Sequence, residues 1–256
     1  MDRLSPQRVL VTGASRGIGA EIGRIASREG HHVILTARNA GDLDALASAL
    51  PGPTTVLPAD LADAGARAQL WEDAGQVDIL VNNAGLGGSG DFARPDTWTR
   101  EQEMIEVNLV AATDLAKRAT AQMIARGSGR ILNVASLAGF LPGPNMAIYF
   151  ATKAYLRSLS EALWQETKGR GITVTALCPG PVDTNFFRAG NLRGGRQMMS
   201  ADTCARAGWD GMMAGRRTVI PGWRFKALAL ASRLPRSLLL PITARTLNHA
   251  PFARDD

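Results

Sequence analysis

Six short runs rich in Val, Ile and Leu recur along the chain up to Gly180, and longer segments of helical period separate them. RVLVT precedes an amphipathic stretch that runs to Gly30, HVILTA precedes GDLDALASAL, and TTVLPA precedes a helix to Ala74; VDILVNN, GRILNVAS and GITVTALCPG continue the series. Runs this apolar suit strands covered on both faces, and alternation with helices gives the crossovers that parallel pairing needs. The chain is therefore expected to be α/β, an open doubly wound parallel sheet. At 256 residues it can bury one core of this kind, and no linker divides it, so residues 1–256 are read as a single domain.

The segment TGASRGIG, Thr12 to Gly19, follows the first strand and opens the first helix. Gly13, Gly17 and Gly19 allow a tight turn and let a pyrophosphate reach backbone N–H groups at the positive end of a helix. That is the physics of a dinucleotide site on a Rossmann-like sheet, with Ser15, Arg16 and Ile18 in the same turn. An NAD-selecting sheet carries an acid at the end of its second strand; here the sequence is Thr36-Ala37-Arg38. Arg38 and Arg16 can form charge-assisted hydrogen bonds to a 2′-phosphate, so NADP(H) is expected in preference to NAD(H).

Taken in order, TGASRGIG, Asp60-Leu61, NNAG at 82–85, Asn108, Ser136, YFATK at 149–153 and PGPVDT identify a chain that resembles the short-chain dehydrogenase/reductase superfamily, from about Arg8 to Thr184. The resemblance implies a catalytic set of Asn108, Ser136, Tyr149 and Lys153. Tyr149 and Lys153 stand one helical turn apart and share a face. A cation there favours the phenolate of a group that otherwise ionises near pH ~10, and by resemblance Lys153 also binds the nicotinamide ribose. Ser136 would orient the substrate oxygen, and Asn108 would hold a water that supplies protons to Lys153. Asp60, Leu61, Asn83, Ala84 and Gly85 are expected around the adenosine, and Pro179, Gly180, Val182 and Thr184 around the nicotinamide. Asp60 is also a candidate helix N-cap before LADAGARAQL.

Substrate choice is expected in residues 183–214, read as a lid. Phe186, Phe187, Met198 and Met199 offer an adaptable apolar surface, and Arg188, Arg193 and Arg196 either meet a phosphate or carboxylate or are simply solvated. Residues 222–250 form a C-terminal helical extension similar to tails in ketoreductase-like relatives, which points to lipophilic ketones or 3-oxoacyl compounds. The leading function is NADPH-dependent ketone reduction. An alcohol dehydrogenase running in the oxidising direction and a non-catalytic NADP(H) sensor remain as alternatives.

Composition narrows the rest. The excess charge of +6 is matched by eight basic residues between Arg216 and Arg254 against Asp255 and Asp256. These alternate with Leu, Ala and Ile, so the segment reads as packed helices or as an interfacial amphipathic stretch, with packing favoured, and not as a nucleic-acid patch. No apolar run reaches the ~18 residues of a membrane span, although peripheral association stays open. Two cysteines and three histidines without ligand spacing exclude a disulfide framework and point to no metal. A cytoplasmic homodimer or homotetramer acting on a small molecule is expected.

Overall fold

The computed structural model describes residues 5–184, 186 and 198–248. The six apolar runs become β1 (Arg8–Thr12), β2 (His32–Thr36), β3 (Thr54–Val56), β4 (Ile79–Asn82), β5 (Gly129–Val134) and β6 (Ile172–Leu177). Two short strands, β7 (Val182–Asp183) and β8 (Met199–Ser200), pair in parallel with each other. A further strand, β9 (Thr218–Val219), joins β6 and completes a seven-stranded parallel sheet in the order β3-β2-β1-β4-β5-β6-β9. The chain winds outward from β1 to β3 and then returns to place β4 beside β1. Open α/β sheets bind ligands at this switch point, outside the carboxyl ends of the strands.

Helices α1 (Gly17–Arg28), α2 (Ala40–Ser48), α3 (Ala64–Ala74), α4 (Trp98–Ile105), α5 (Ala112–Arg126), α6 (Ala147–Glu166) and α7 (Ala201–Met213) cover the sheet, followed by α8 (Trp223–Ala231) and α9 (Arg236–Asn248). Successive residues of β1 serve opposite faces. Val9 and Val11 pack with Ile22, Ile25, Trp209 and Met212 of α1 and α7, whereas Leu10 packs with Leu70, Leu115 and Met123 of α3 and α5. Complete burial of a side chain of this size contributes roughly 1.5–3 kcal/mol. Parallel strands buried on both sides therefore account for the unbroken apolar runs.

Two features differ from the sequence reading. Part of the expected lid, 183–214, belongs to the core: α7 lies along α1 and fully buries Cys204, Trp209 and Met212, because its apolar face completes one of the two core layers. The helix bearing Asn108 is not regular either. Between α4 and α5, Glu106–Ala111 winds as a π-helical turn, so one residue more than an α-helix needs is accommodated there.

Candidate active site

The glycine-rich turn is fixed by its neighbours. The Thr12 hydroxyl donates to the Val81 carbonyl and accepts from the Asn83 and Ala84 N–H groups, each at 3.0 Å, while the Asn83 amide donates to the carbonyls of Thr12 and Gly13. β1 and the loop after β4 are thereby stitched together. A Cβ at Gly13, which has φ +61°, would lie 2.8 Å from Ala84 Cα; at Gly19 it would lie 2.4 Å from both Asn83 Nδ2 and the Gly13 carbonyl. A Cβ at Gly17 would meet the Thr184 methyl group at 2.9 Å. Arg16 is the N-cap of α1, whose first turn carries no acid. The open N–H groups of that turn and the cradle kept clear by glycine fit a phosphate-bearing dinucleotide.

At the far end of the cleft, Arg16 pairs with Asp42 at 2.7 Å and Arg38 pairs with Glu103 at 2.8 Å. Both guanidiniums are more than half exposed, so these contacts are weak and open to exchange. Asp60 does not cap α3. Its carboxylate accepts from the Ala62 N–H in a local turn, and Asp63 is the N-cap, accepting from Ala66. Leu61 is held from behind by Arg67, a buried guanidinium that donates to the Leu61 and Ala62 carbonyls. Arg67 had no motif to draw attention to it.

Asn108 sits inside the π turn and is 1 % exposed. Its amide nitrogen donates to the Leu86 carbonyl and the Thr152 hydroxyl, and its Oδ1 accepts from the Leu86 N–H. The side chain is thus committed to protein partners and ties the loop after Gly85 to the residue before Lys153. Gly85 leaves room for this arrangement: a Cβ there would stand 3.2 Å from Asn108 Oδ1 and 3.3 Å from Lys153 Nζ.

Ser136 follows β5 and caps a short 3-10 turn, Leu137–Phe140, by accepting from the Ala138 N–H. It shares the cleft with Tyr149 and acts on that phenol in the sense that favours its ionised form. Lys153 is buried, donates to the Val134 carbonyl at 2.9 Å, and lies 6.0 Å from the centre of the Tyr149 ring. The expected lowering of the phenol by this cation is not found. Withdrawal from water pushes the Tyr149 hydroxyl up, with Ser136 acting in the opposite sense, and burial brings Lys153 down to about 8. In both groups desolvation outweighs the opposing influence, Ser136 for Tyr149 and the Cys178 sulfur for Lys153.

Around these groups lies a cleft of ≈ 1140 Å³ that runs from Arg16 and Arg38 to Ser136 and Tyr149, with Pro179, Gly180, Val182 and Thr184 along its wall. Phe186 stacks 5.5 Å from Tyr149 and covers Gly87, where a Cβ would fall 2.4 Å from its ring. Phe150 meets Tyr149 edge-on at 6.0 Å. Met198 and Met199 do not line the cleft: Met199 pairs with Val182 in the small sheet and packs on the core. Phe187, Arg188, Arg193 and Arg196 lie outside the described residues. The apolar wall comes instead from the C-terminal helices, through Phe225, Leu228 and Ile242. Phe225 presses on Gly180, where a Cβ would be 2.5 Å from its ring.

Among the described residues no His, Cys, Asp or Glu cluster could hold a metal ion. Cys178 and Cys204 are buried, and burial pushes both thiols up to about 12, so neither offers a thiolate.

Known proteins are similar to this chain in sequence and fold. The short chain dehydrogenase family matches residues 7–193. The 3-oxoacyl-acyl-carrier-protein reductase of Rickettsia prowazekii is 35% identical over 183 residues, 72% of this chain and 76% of its own. A short-chain dehydrogenase from Sphingobium yanoikuyae, solved in complex with NADPH, superposes with a TM-score of 0.81 at 33% identity, covering 93% of this chain and 95% of that one. The bulky-bulky ketone specific alcohol dehydrogenase from Comamonas testosteroni superposes with a TM-score of 0.76 at 28% identity, over 99% and 97%. The parallel sheet, its glycine-rich turn and a family match over most of the chain converge on one assignment: the protein belongs to the short-chain dehydrogenase family, built on a fold that binds nicotinamide cofactors, and is an oxidoreductase acting on CH–OH and C=O groups.

Proposed function

We propose that the protein is an NADPH-preferring reductase of a lipophilic ketone or 3-oxoacyl compound, giving a secondary alcohol. The observation that carries this is the gathering of Ser136, Tyr149 and the buried Lys153 on one apolar cleft that continues to two exposed arginines. Gly13, Gly17, Gly19 and the N-terminal turn of α1 would hold the pyrophosphate, Arg16 and Arg38 the 2′-phosphate, and Lys153 the nicotinamide ribose. A bound nicotinamide supplies the hydride. The chain's own part is the proton: Ser136 Oγ donates a hydrogen bond that aims the carbonyl oxygen, and Tyr149 gives its hydroxyl proton to that oxygen as it gains electron density. Lys153 Nζ, brought down to about 8 by burial and still largely protonated at pH 7, would then return a proton to the Tyr149 oxygen and regain one from water.

A phenol held above its ordinary 10 keeps its proton at neutral pH, as the acid role requires. The reductase and the ketone-specific relative named above support the substrate class, and the NADPH complex supports the cofactor. Homo-oligomer formation through the helices bearing Asn108 and Tyr149 belongs to the same reading.

The test is fluorescence titration with NADPH and NADH, followed by turnover of aromatic ketones, 3-oxoacyl thioesters and steroids. NADPH should bind more tightly and at least one carbonyl should be reduced. Tyr149→Phe should keep NADPH binding and lose turnover by about 10²–10⁴-fold; a variant retaining most of its activity would remove Tyr149 from the role of acid.

A further inference from the structure

The C-terminal helices present a surface that the oxidoreductase chemistry does not use. Trp223 is 74 % exposed, and Leu228, Leu230, Leu234, Leu238 and Ile242 are exposed as well. With Leu240, seven large apolar side chains are exposed on α8, α9 and their connection, a concentration that soluble surfaces rarely leave open without a partner. The cations are just as concentrated. Arg224, Lys226, Arg233, Arg236 and Arg245 fall in the same stretch, and no Asp or Glu occurs between Asp210 and Asp255. Arg224 stacks over the Trp223 ring at 5.4 Å, so charge and aromatic surface are presented together.

We infer that α8 and α9 form a docking surface for an anionic phospholipid bilayer, with the mouth of the cleft turned toward the acyl chains. Apolar side chains interleaved with basic ones and an exposed Trp suit the headgroup boundary, where cations meet lipid phosphates and Leu or Trp side chains enter the outer acyl region. Neither helix is long and apolar enough to cross a membrane, so the contact is interfacial. A second copy of this chain fits the surface poorly: a two-fold contact would place the five cations against themselves.

Continuity with the cleft gives the docking a purpose. Leu228 and Ile242 are 46 % and 59 % exposed and also line the cleft, so a bilayer-dissolved carbonyl compound would reach Tyr149 along an apolar wall. That purpose rests on the lipophilic-carbonyl reading above; the docking itself does not and is tested without substrate.

The experiment is co-sedimentation of the full chain with vesicles of phosphatidylcholine alone and of phosphatidylcholine mixed with equal parts of phosphatidylglycerol, at low and high salt. The protein should partition onto the mixed vesicles, bind phosphatidylcholine weakly and be released by salt. Arg233→Ser with Arg236→Ser should lower partition roughly 25-fold, at about fivefold per cation. Leu230→Gln with Leu238→Gln should also lower it, and NADPH titration of both variants should match the parent, showing that the fold is intact. Failure to sediment with the mixed vesicles, or full partition by both double variants, would overturn the proposal. So would loss of self-association in the leucine variant of a chain that binds no vesicle, which would give the surface to a second copy. Vesicle binding without turnover of any carbonyl would leave the docking standing and remove only the substrate reading.

Discussion

The two ends of the cleft are built by different means. At the nucleotide end the backbone itself is the binding surface, and each position is constrained by another: Thr12 by Val81, Asn83 and Ala84, Gly19 by Asn83, and Gly13 by its left-handed φ and by Ala84. At the substrate end the surface consists of side chains, namely Phe186, Phe225, Leu228 and Ile242, three of them on helices that stand partly free of the core. A backbone-built site tolerates almost no substitution and so holds the reaction class constant. A side-chain-built site changes its occupant with one residue at little cost to the fold.

The strongest way to break this contrast is Gly19→Ala. Its Cβ has no room, and the displaced Asn83 would release both Thr12 and Gly13, so a loss of about 3 kcal/mol or more in denaturant unfolding is expected, together with NADPH binding. A variant of parental stability would show the turn to be softer than its contacts indicate. Arg38→Ser should leave unfolding nearly unchanged and lower NADPH affinity about 10–100-fold with little effect on NADH; equal losses for both cofactors would refute its role in selection.

Gly180→Ala should cost about 1–3 kcal/mol by pushing on Phe225, and much of that should return when Phe225 is also cut to Ala. Additive losses would mean that the two ends of the cleft are not coupled there. Lys153 should titrate near pH 8 in the unliganded protein, followed by side-chain NMR. Between about 8 and its ordinary 10.5 the unfolded chain holds a proton that the native state lacks, so Lys153 adds stability as pH rises through that window and the gain disappears below it. Tyr149 acts in reverse, its contribution being complete below 10 and lost above. A Lys153→Met variant that kept the same rise in stability across the window would assign it elsewhere. The smallest expected effect is Leu228→Ala, which should shift KM for a bulky ketone while leaving stability within about 0.5 kcal/mol.

The sequence made the strongly patterned parts of the fold readable. Strands buried on both faces announce themselves as apolar runs, and the glycines of Thr12–Gly19 could be placed because backbone geometry dictates residue type. β9 could not be read, since two residues, Thr218 and Val219, carry no period. The partners of the two arginines were equally hidden: Glu103 lies 65 positions from Arg38 and is brought near only by the crossover of the sheet. α7 was mistaken for lid because the methionines and glycines around it suggest mobility, while its burial depends on α1, far away in sequence. The contribution of α8 and α9 to the cleft was obscured by their mixture of Leu and Arg, which suits a packed face, a membrane face or a pocket wall equally well.

The π turn at Glu106–Ala111 has a consequence for the rotational phase of its helix. Each residue advances an α-helix by about 100°, so the extra residue puts α5 out of phase with α4, and the faces that the two halves present are set independently. Deleting one residue from this turn would restore unbroken α-helical geometry and could make the helix itself more regular. It would also swing one half by about 100°, and either Asn108 would leave the Leu86 and Thr152 groups it now joins or Leu115 and Met123 would turn out of the core. The irregularity therefore acts as a universal joint, letting a single rod serve the catalytic helix at one level and the hydrophobic layer at the next.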